Sequence, residues 1–346
     1  MNAYSPFKAA HHREKIDALK KGELITPVHI QIDPTGACNF RCPYCFYRLF
    51  KRDENVNHYF SEEDFLPYEL VEKLLKELRE LKVPSLQFTG GGEPTLHPRI
   101  GDILKLTLRE SFEFSYVTNG SLLTDELIKL LRHASWVRLS IDSATSKTFE
   151  RVHRVDCFQV VLDNLKRLCE QEREAIVGFS FVINPLNWTE IVEATVLARE
   201  IGCDNIRFSL AYTPKRAKLH EGYWNKALSL LREAKRYETE SFRVFTLTER
   251  MDDLRAKGKN YSQCYYQHFV TVVGSDGRLY PCCTYKGNKL GVIGNLYDKD
   301  FKTLWFRDRV VWLENLDVSR CMQCWMDEKN AFISYLVEEP IHVNFI

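Results

Sequence analysis

The sequence predicts an α/β chain in which repeated strand and helix units form a parallel sheet, followed by a small cysteine-rich α+β C-terminal extension. Two observations carry this. Between residue 28 and about residue 247, short apolar runs alternate with amphipathic stretches, as in a parallel sheet built through helical crossovers. Beyond residue 260 the alternation stops, cysteines return, and Gly274-Ser275-Asp276-Gly277 separates two strand-like runs.

In chain order, the candidate strands are 28–32, 86–89, 114–118, 137–141, 176–183, 205–211 and 242–245. Leu70, Leu74, Leu78 and Leu81 recur at helical spacing and predict an amphipathic helix between the first two. The stretch 212–224 (YTPKRAKLHEGYW) after the sixth strand reads mostly as exposed loop near a substrate entrance. A hairpin is expected from 269–273 and 278–281. One helix is expected over 300–316, with Phe301, Leu304, Trp305 and Trp312 available to be buried. The expected organisation is a leader over 1–27, a strand–helix unit over 28–255 and the extension over 256–346. In such units functional residues gather at the carboxyl ends of strands.

The composition is that of a globular protein with full cores: 346 residues, 45% apolar, with 48 basic and 47 acidic side chains. A net charge of +1 lacks the basic excess of a general phosphate binder, so nucleic acid is disfavoured as a partner. No apolar run is long enough to span a membrane, and the polar N-terminus lacks a secretory apolar core. A cytoplasmic protein with no membrane partner is expected. In that setting the eleven cysteines read as metal or cluster ligands before disulfides.

Immediately after the first strand comes Gly36-Ala37-Cys38-Asn39-Phe40-Arg41-Cys42-Pro43-Tyr44-Cys45, a C-x3-C-x2-C array on a loop. Three thiolates so spaced can hold three irons of a 4Fe-4S cube and leave the fourth open to a cofactor or substrate. The alternative on spacing alone is zinc completed by a remote residue such as His58. The second strand is followed by Thr89-Gly90-Gly91-Gly92-Glu93-Pro94, where glycines permit close backbone approach and a carboxylate can accept from an ammonium group.

Together these loops resemble the radical S-adenosylmethionine (SAM) superfamily. The resemblance implies a partial (β/α)6 TIM-like barrel, open on one side for substrate. It further implies a cluster on Cys38, Cys42 and Cys45 whose open iron is chelated by SAM, which is cleaved reductively to a 5'-deoxyadenosyl radical. Tyr44 matches the aromatic residue before the third cysteine, and Gly91, Gly92 and Glu93 match the motif that contacts the SAM amino group. Softer matches at later strand ends imply SAM contacts for Asn119, Ser140 and Asp142. Arg154 is expected to pair with the SAM carboxylate, and Arg151 competes with it.

The C-terminal pattern C-x12-G-x4-C, from Cys264 through Gly277 to Cys282, precedes the pair Cys321 and Cys324. Four such thiolates can close a tetrahedral zinc site or ligate a second cube. The pattern resembles the SPASM or Twitch extension of radical SAM enzymes. That resemblance implies one auxiliary 4Fe-4S cluster on Cys264, Cys282, Cys321 and Cys324, because residues 325–346 hold no cysteine for another. Cys283 is a candidate hydrogen-atom donor, a substitute ligand or a packing residue. Cys157, Cys169 and Cys203 read as ordinary packed thiols, His97 as a turn residue, and Tyr265, Tyr266, His268 and Phe269 as core or as a shield for the auxiliary cluster.

The implied activity is hydrogen-atom abstraction from a small polar metabolite, such as a sugar, aminocyclitol or nucleoside, ending in dehydrogenation or epimerisation. The electron would come from a donor such as flavodoxin or ferredoxin. The small-metabolite expectation rests on residues 1–27 being too few for a peptide-recognition domain. The alternatives are a maturase of ribosomally made peptides, a nucleotide or base modifier, and a non-enzymatic iron–sulfur electron carrier.

Overall fold

The computed structural model describes residues 4–51, 59, 61–256, 259, 261–321 and 324–338. His58 lies outside the described residues. The described residues form one ten-stranded sheet: β1 His29–Ile32, β2 Ser85–Phe88, β3 Glu113–Thr118, β4 Trp136–Ser140, β5 Ile176–Ile183, β6 Asn205–Leu210, β7 Arg243–Thr246, β8 Val270–Val273, β9 Arg278–Tyr280 and β10 Gly294–Asn295. Strands β1 to β7 lie side by side in sequence order and pair in parallel. The partial barrel is thus extended by a seventh parallel strand.

Strand alternation separates two chemistries. Ile30, Ile32, Leu86, Phe88, Phe114, Tyr116, Val137, Leu139, Phe179 and Phe208 are buried in the main core, where the crossover helices pack. The opposite parity, the inner face, carries His29, Gln31, Ser85, Gln87, Ser115, Arg138, Ser140, Ser180, Arg207 and Ser209. A polar inner face is suited to a polar guest.

Local chemistry sets the helices. In the helix Tyr68–Glu80 the buried stripe is Val71, Leu74, Leu75 and Leu78, one position round from the expected leucine face, leaving Leu70 and Leu81 half-buried. Thr124 and Thr145 cap the helices Asp125–Leu131 and Ser146–His153 by accepting from Leu127 N and Thr148 N.

The extension is stitched into the same sheet. Strand β8 pairs in parallel with β1, β9 runs antiparallel to β8, and β10 antiparallel to β9. The helix expected over 300–316 forms as Phe301–Thr303 and Arg309–Glu314 flanking a π-helical turn, Leu304–Asp308. Phe301, Leu304 and Trp305 are buried, and Trp305 Nε1 donates to Ile25 O at 2.7 Å. The wider turn rotates the register, so Trp312 is only half-buried and donates to Leu290 O.

A second core joins the two chain ends. Ile16, Leu19 and Ile25 pack with Tyr265, Phe269 and Ile333, bringing the helix Arg13–Lys20 against Asp327–Val337. The stretch after β6 is less exposed than expected. Its polar tip is open, but Tyr212, His220, Tyr223 and Trp224 are buried, His220 bridging Tyr223 Oη and Ala211 O at 2.6 and 2.9 Å. No helix among the described residues is long and apolar enough to cross a membrane.

Candidate active site

The cysteine loop leaves the carboxyl end of β1 and is pinned from four sides. Thr35 Oγ1 donates to Asp64 O and accepts from Ala37 N. Glu93 N donates to Ala37 O at 2.7 Å, and Arg41 N to His153 O at 2.9 Å. Asn119 Nδ2 donates to Asn39 Oδ1, while Asn39 Nδ2 donates to Ser121 Oγ. The ends of β2 and β3 and the helix after β4 therefore fix where Cys38, Cys42 and Cys45 sit.

Burial pushes the Cys38 thiol up to about 11 and the Cys42 thiol well above its usual range, and neighbouring thiols add to both shifts. Cys38 and Cys42 thus resist ionisation alone and require a cationic guest to become thiolates. Among the described residues no group of three or more His, Cys, Asp and Glu closes on a single metal ion. An iron–sulfur cube, which offers each cysteine its own iron, suits this donor set. Cys42 Sγ also lies 3.1 Å from His153 Nδ1, while His153 Nε2 lies 2.8 Å from Ile141 O.

The glycine turn is moulded to this loop. A Cβ on Gly92 would stand 2.0 Å from Ala37 O and 2.5 Å from Gly36 C, so only glycine fits. The Glu93 carboxylate is buried and faces protein donors: Oε1 accepts from Thr95 N, Thr95 Oγ1 and Thr118 Oγ1, and Oε2 from Asn119 N. Gly91 N donates to Asp33 Oδ2 at 3.0 Å. Tyr44 Oη donates to Asp142 Oδ2 at 2.5 Å, and Asp142 Oδ1 accepts from Val182 N. Burial raises the Asp142 carboxyl to about 7. Ser140, half-buried, pairs in register with Ser180 of β5. Arg151, in the last turn of the helix Ser146–His153, and Arg154, which caps it beside the residue that holds the cysteine loop, are exposed, Arg154 at a left-handed φ of 63°.

The C-terminal thiols form the second set. Cys264, Cys282, Cys321 and Cys324 are all pushed up by burial and perturb one another, Cys264 to about 11. Tyr285 Oη contacts Cys321 Sγ at 3.5 Å, and Met326 N lies 3.3 Å from Cys324 Sγ. Cys283 has different neighbours: burial raises its thiol, while Lys286, Arg250 and Lys329 pull it down. Of the aromatic cluster that follows Cys264, Tyr266 feels these cysteines, whereas Tyr265 and Phe269 belong to the second core.

Comparison with known proteins places these loops in a family. The radical SAM superfamily model matches residues 32–198, and the iron-sulfur cluster-binding SPASM model matches residues 264–325. The chain belongs to the radical SAM superfamily and carries a C-terminal SPASM domain. This radical SAM enzyme is 23% identical to a "Tungsten-containing aldehyde ferredoxin oxidoreductase cofactor-modifying protein" of Pyrococcus furiosus, over 88% of this chain and 89% of the relative. It is 31% identical to a "Probable GTP 3',8-cyclase" of Saccharolobus solfataricus, over 51% of this chain and 54% of that protein, about half its length. Its fold resembles Streptococcus suis SuiB (TM-score 0.65, 18% identity, 89% of this chain and 73% of that one). It also resembles anSMEcpe with bound AdoMet (TM-score 0.63, 19% identity, 88% and 84%). As a member of this family the enzyme uses SAM and 4Fe-4S clusters.

Three parts of this radical SAM site were not anticipated from the sequence. Lys286 reaches Asp33 with Nζ 2.5 Å from Oδ2 and lies 4.3 Å over the Tyr47 ring, so the extension grips the carboxylate that holds Gly91. His153 stands against Cys42. Lys259 and Tyr261 converge on Asp327 beside the second thiol set. Asp33 alone carried a signal, as an acidic residue at a strand's carboxyl end. His97 behaves as expected, Nε2 on Leu66 O and Nδ1 accepting from Arg99 N. Cys203 is buried against Cys169, and Cys157 is half-buried.

Proposed function

We propose that this radical SAM enzyme abstracts a hydrogen atom from a small polar metabolite and completes a dehydrogenation or an epimerisation. The observation that carries the reading is the direct bonding of the cysteine loop to the glycine turn, Glu93 N to Ala37 O, at adjacent strand ends. An electron carrier has no use for that second loop. The Pyrococcus relative, matched along nearly the whole chain, is by name a cofactor-modifying protein, which accords with a small-molecule substrate.

In this proposal Cys38, Cys42 and Cys45 hold the SAM-binding cluster, and Cys264, Cys282, Cys321 and Cys324 hold one auxiliary cluster. When bound, the first cluster and SAM supply one electron and a 5'-deoxyadenosyl radical. The protein's share is placement. The backbone at Gly91 and Gly92, with Tyr44, Asn119, Ser140, Asp142 and Arg154, orients SAM, Glu93 acting by fixing the turn. Cys283, a buried thiol, is the candidate to return a hydrogen atom for epimerisation, the resulting thiyl radical being restored by an electron from the donor and a proton; an electron leaving through the auxiliary site gives oxidation instead. Residues 28–255 supply the barrel, 256–346 the auxiliary site, and a cytoplasmic flavodoxin- or ferredoxin-type donor the electron.

The test is iron content and 5'-deoxyadenosine formation on anaerobically reconstituted protein, wild type against Cys38→Ala/Cys42→Ala/Cys45→Ala. About eight irons with SAM cleavage, falling to about four without cleavage, is the expected result. Absence of cleavage in every preparation refutes the enzyme reading. Stimulation of cleavage by the peptide fraction of a cell extract, and not by its low-molecular-weight fraction, replaces the metabolite with a peptide.

A further inference from the structure

The inner face holds more positive charge than its structural role explains. Arg207 of β6 stands in register with Ser180 of β5 and Ser140 of β4, in one row across that face. Its guanidinium lies 5.1 Å over the Tyr4 ring, and its Nε is buried without a hydrogen-bond partner. Arg138, one row lower, donates from Nη2 to Tyr4 Oη at 2.8 Å. Arg250 lies 5.3 Å over the Trp325 ring, which itself touches Phe46, next to Cys45, and Tyr212 at the end of β6. Lys329 joins them from the C-terminal helix. β7 pairs with β6 at Arg207 and Phe245, Leu247 N donates to Phe208 O at 3.1 Å just before the helix that carries Arg250, and Lys329 Nζ lies 6.0 Å over the Tyr266 ring. Arg207 accordingly lowers the proton affinity of Arg250, and both lower that of Lys329, beyond the effect of burial itself.

Among the described residues none of Arg207, Arg250 and Lys329 has a carboxylate within ion-pair distance. The acidic groups that face them, Asp142, Glu249 and Asp253, act only at longer range. Their charge is not spent on the auxiliary thiols either: Lys259 acts on Cys264, Cys321 and Cys324, and Arg309 feels Cys264. Among the cysteines of the described residues, Cys283 is the one that Arg250 and Lys329 pull down. All three residues are half-buried, and like charges gathered in a partly desolvated cluster weaken a fold unless a counter-charge arrives.

We propose that Arg207, Arg250 and Lys329 form an anion-binding recess on the inner face of the barrel, and that the substrate carries a phosphate or carboxylate group seated there. This rests on the radical SAM reading and narrows its substrate class to anionic metabolites. Arginine forks suit bidentate oxyanions, and the serine row supplies neutral hydroxyls beside them. An anion held at Arg250 would place the rest of the molecule between Phe46 and Cys283, the two sides from which the cysteine sets approach.

The test is calorimetric titration of reconstituted full-length protein with pyrophosphate and, separately, glutarate, as phosphate and carboxylate probes. The wild type should bind one equivalent of at least one probe, the stronger naming the group. Arg207→Gln, Arg250→Gln and Lys329→Gln should each weaken that binding at least tenfold with iron content retained. Arg207→Lys should recover part of it, and the exposed Lys302→Gln should not change it. Absence of saturable binding of both probes, or equal affinity in wild type and variants, overturns the proposal. So does loss of SAM affinity with unchanged probe affinity, which would give these cations to the SAM carboxylate. Failure of the radical SAM reading shows separately, as absence of 5'-deoxyadenosine from wild-type protein whatever the titration gives.

Discussion

Gly92→Ala isolates the contact on which the site depends. The added methyl would sit 2.0 Å from Ala37 O, 2.5 Å from Gly36 C and 2.7 Å from Ala37 C, all backbone atoms that no rotamer change can move. Restoring ordinary contact at 3.4 Å or more requires the glycine turn and cysteine loop to part by more than an ångström. The 2.7 Å bond from Glu93 N to Ala37 O cannot survive that displacement. Overpacking costs about 1–3 kcal/mol and the lost bond about 1 kcal/mol more, a local penalty of about 2–4 kcal/mol concentrated at the loop of Cys38. The assay is iron content with 5'-deoxyadenosine formation. Gly92→Ala should lose about four irons and SAM cleavage while keeping the auxiliary four, since the second thiol set hangs on other elements. Gly222→Ala, with open space around the new methyl, should match wild type. A Gly92→Ala protein that loads fully and cleaves SAM at the wild-type rate refutes the reasoning.

Glu93→Gln keeps the shape but turns an amide donor on one of the carboxylate's four donors; it should cost about 1–3 kcal/mol in denaturant unfolding, less than Glu93→Ala. Lys286→Met leaves Asp33 buried without its cation and should destabilise by about 3–5 kcal/mol, while the double variant Asp33→Asn/Lys286→Met recovers most of that; a double variant as unstable as the single one would show that the ion pair is not the cause. Burial lowers His29 from 6.5 to about 4, so between those values the unfolded chain binds the extra proton. Its contribution is fully present above pH 6.5 and is lost as pH falls towards 4, by about 3 kcal/mol. The stability difference between wild type and His29→Gln should shrink by that amount over this window, and a pH-independent difference contradicts the assignment.

The fold was legible because strand and helix periodicities are local: the seven parallel strands fall within a residue or two of their apolar runs. The cysteine and glycine loops were legible for a related reason, since ligands spaced on one short loop announce themselves. What stayed hidden is long-range. The stripe of Tyr68–Glu80 moved by one position because tertiary packing chose Val71 and Leu75 over Leu70 and Leu81. Nothing local in Lys286 points to Asp33, and nothing in Arg207, Arg250 or Lys329 marks them as companions, because they come from a strand, a helix after β7 and the last helix. The glutamate of the glycine turn reads in sequence as a ligand for an ammonium group. Its four protein donors became visible only once Thr118 and Asn119 of the next strand end were placed beside it.

The pairing of β8 with β1 joins the two cysteine sets mechanically. Strand β1 leads to Cys38 at one end and offers its open edge to β8, whose hairpin leads on to Cys282. Asp33, directly after β1, is gripped by Lys286, directly after the second set's first turn. A shift of the hairpin along β1 by one residue would exchange the faces of Thr271 and Val272, placing the wrong side chain toward each layer, so the register resists slipping. Lys286 then fixes the same alignment a second time, through charge. With two independent constraints on one alignment, the sheet itself fixes how the turn of Cys282 stands relative to the loop of Cys38.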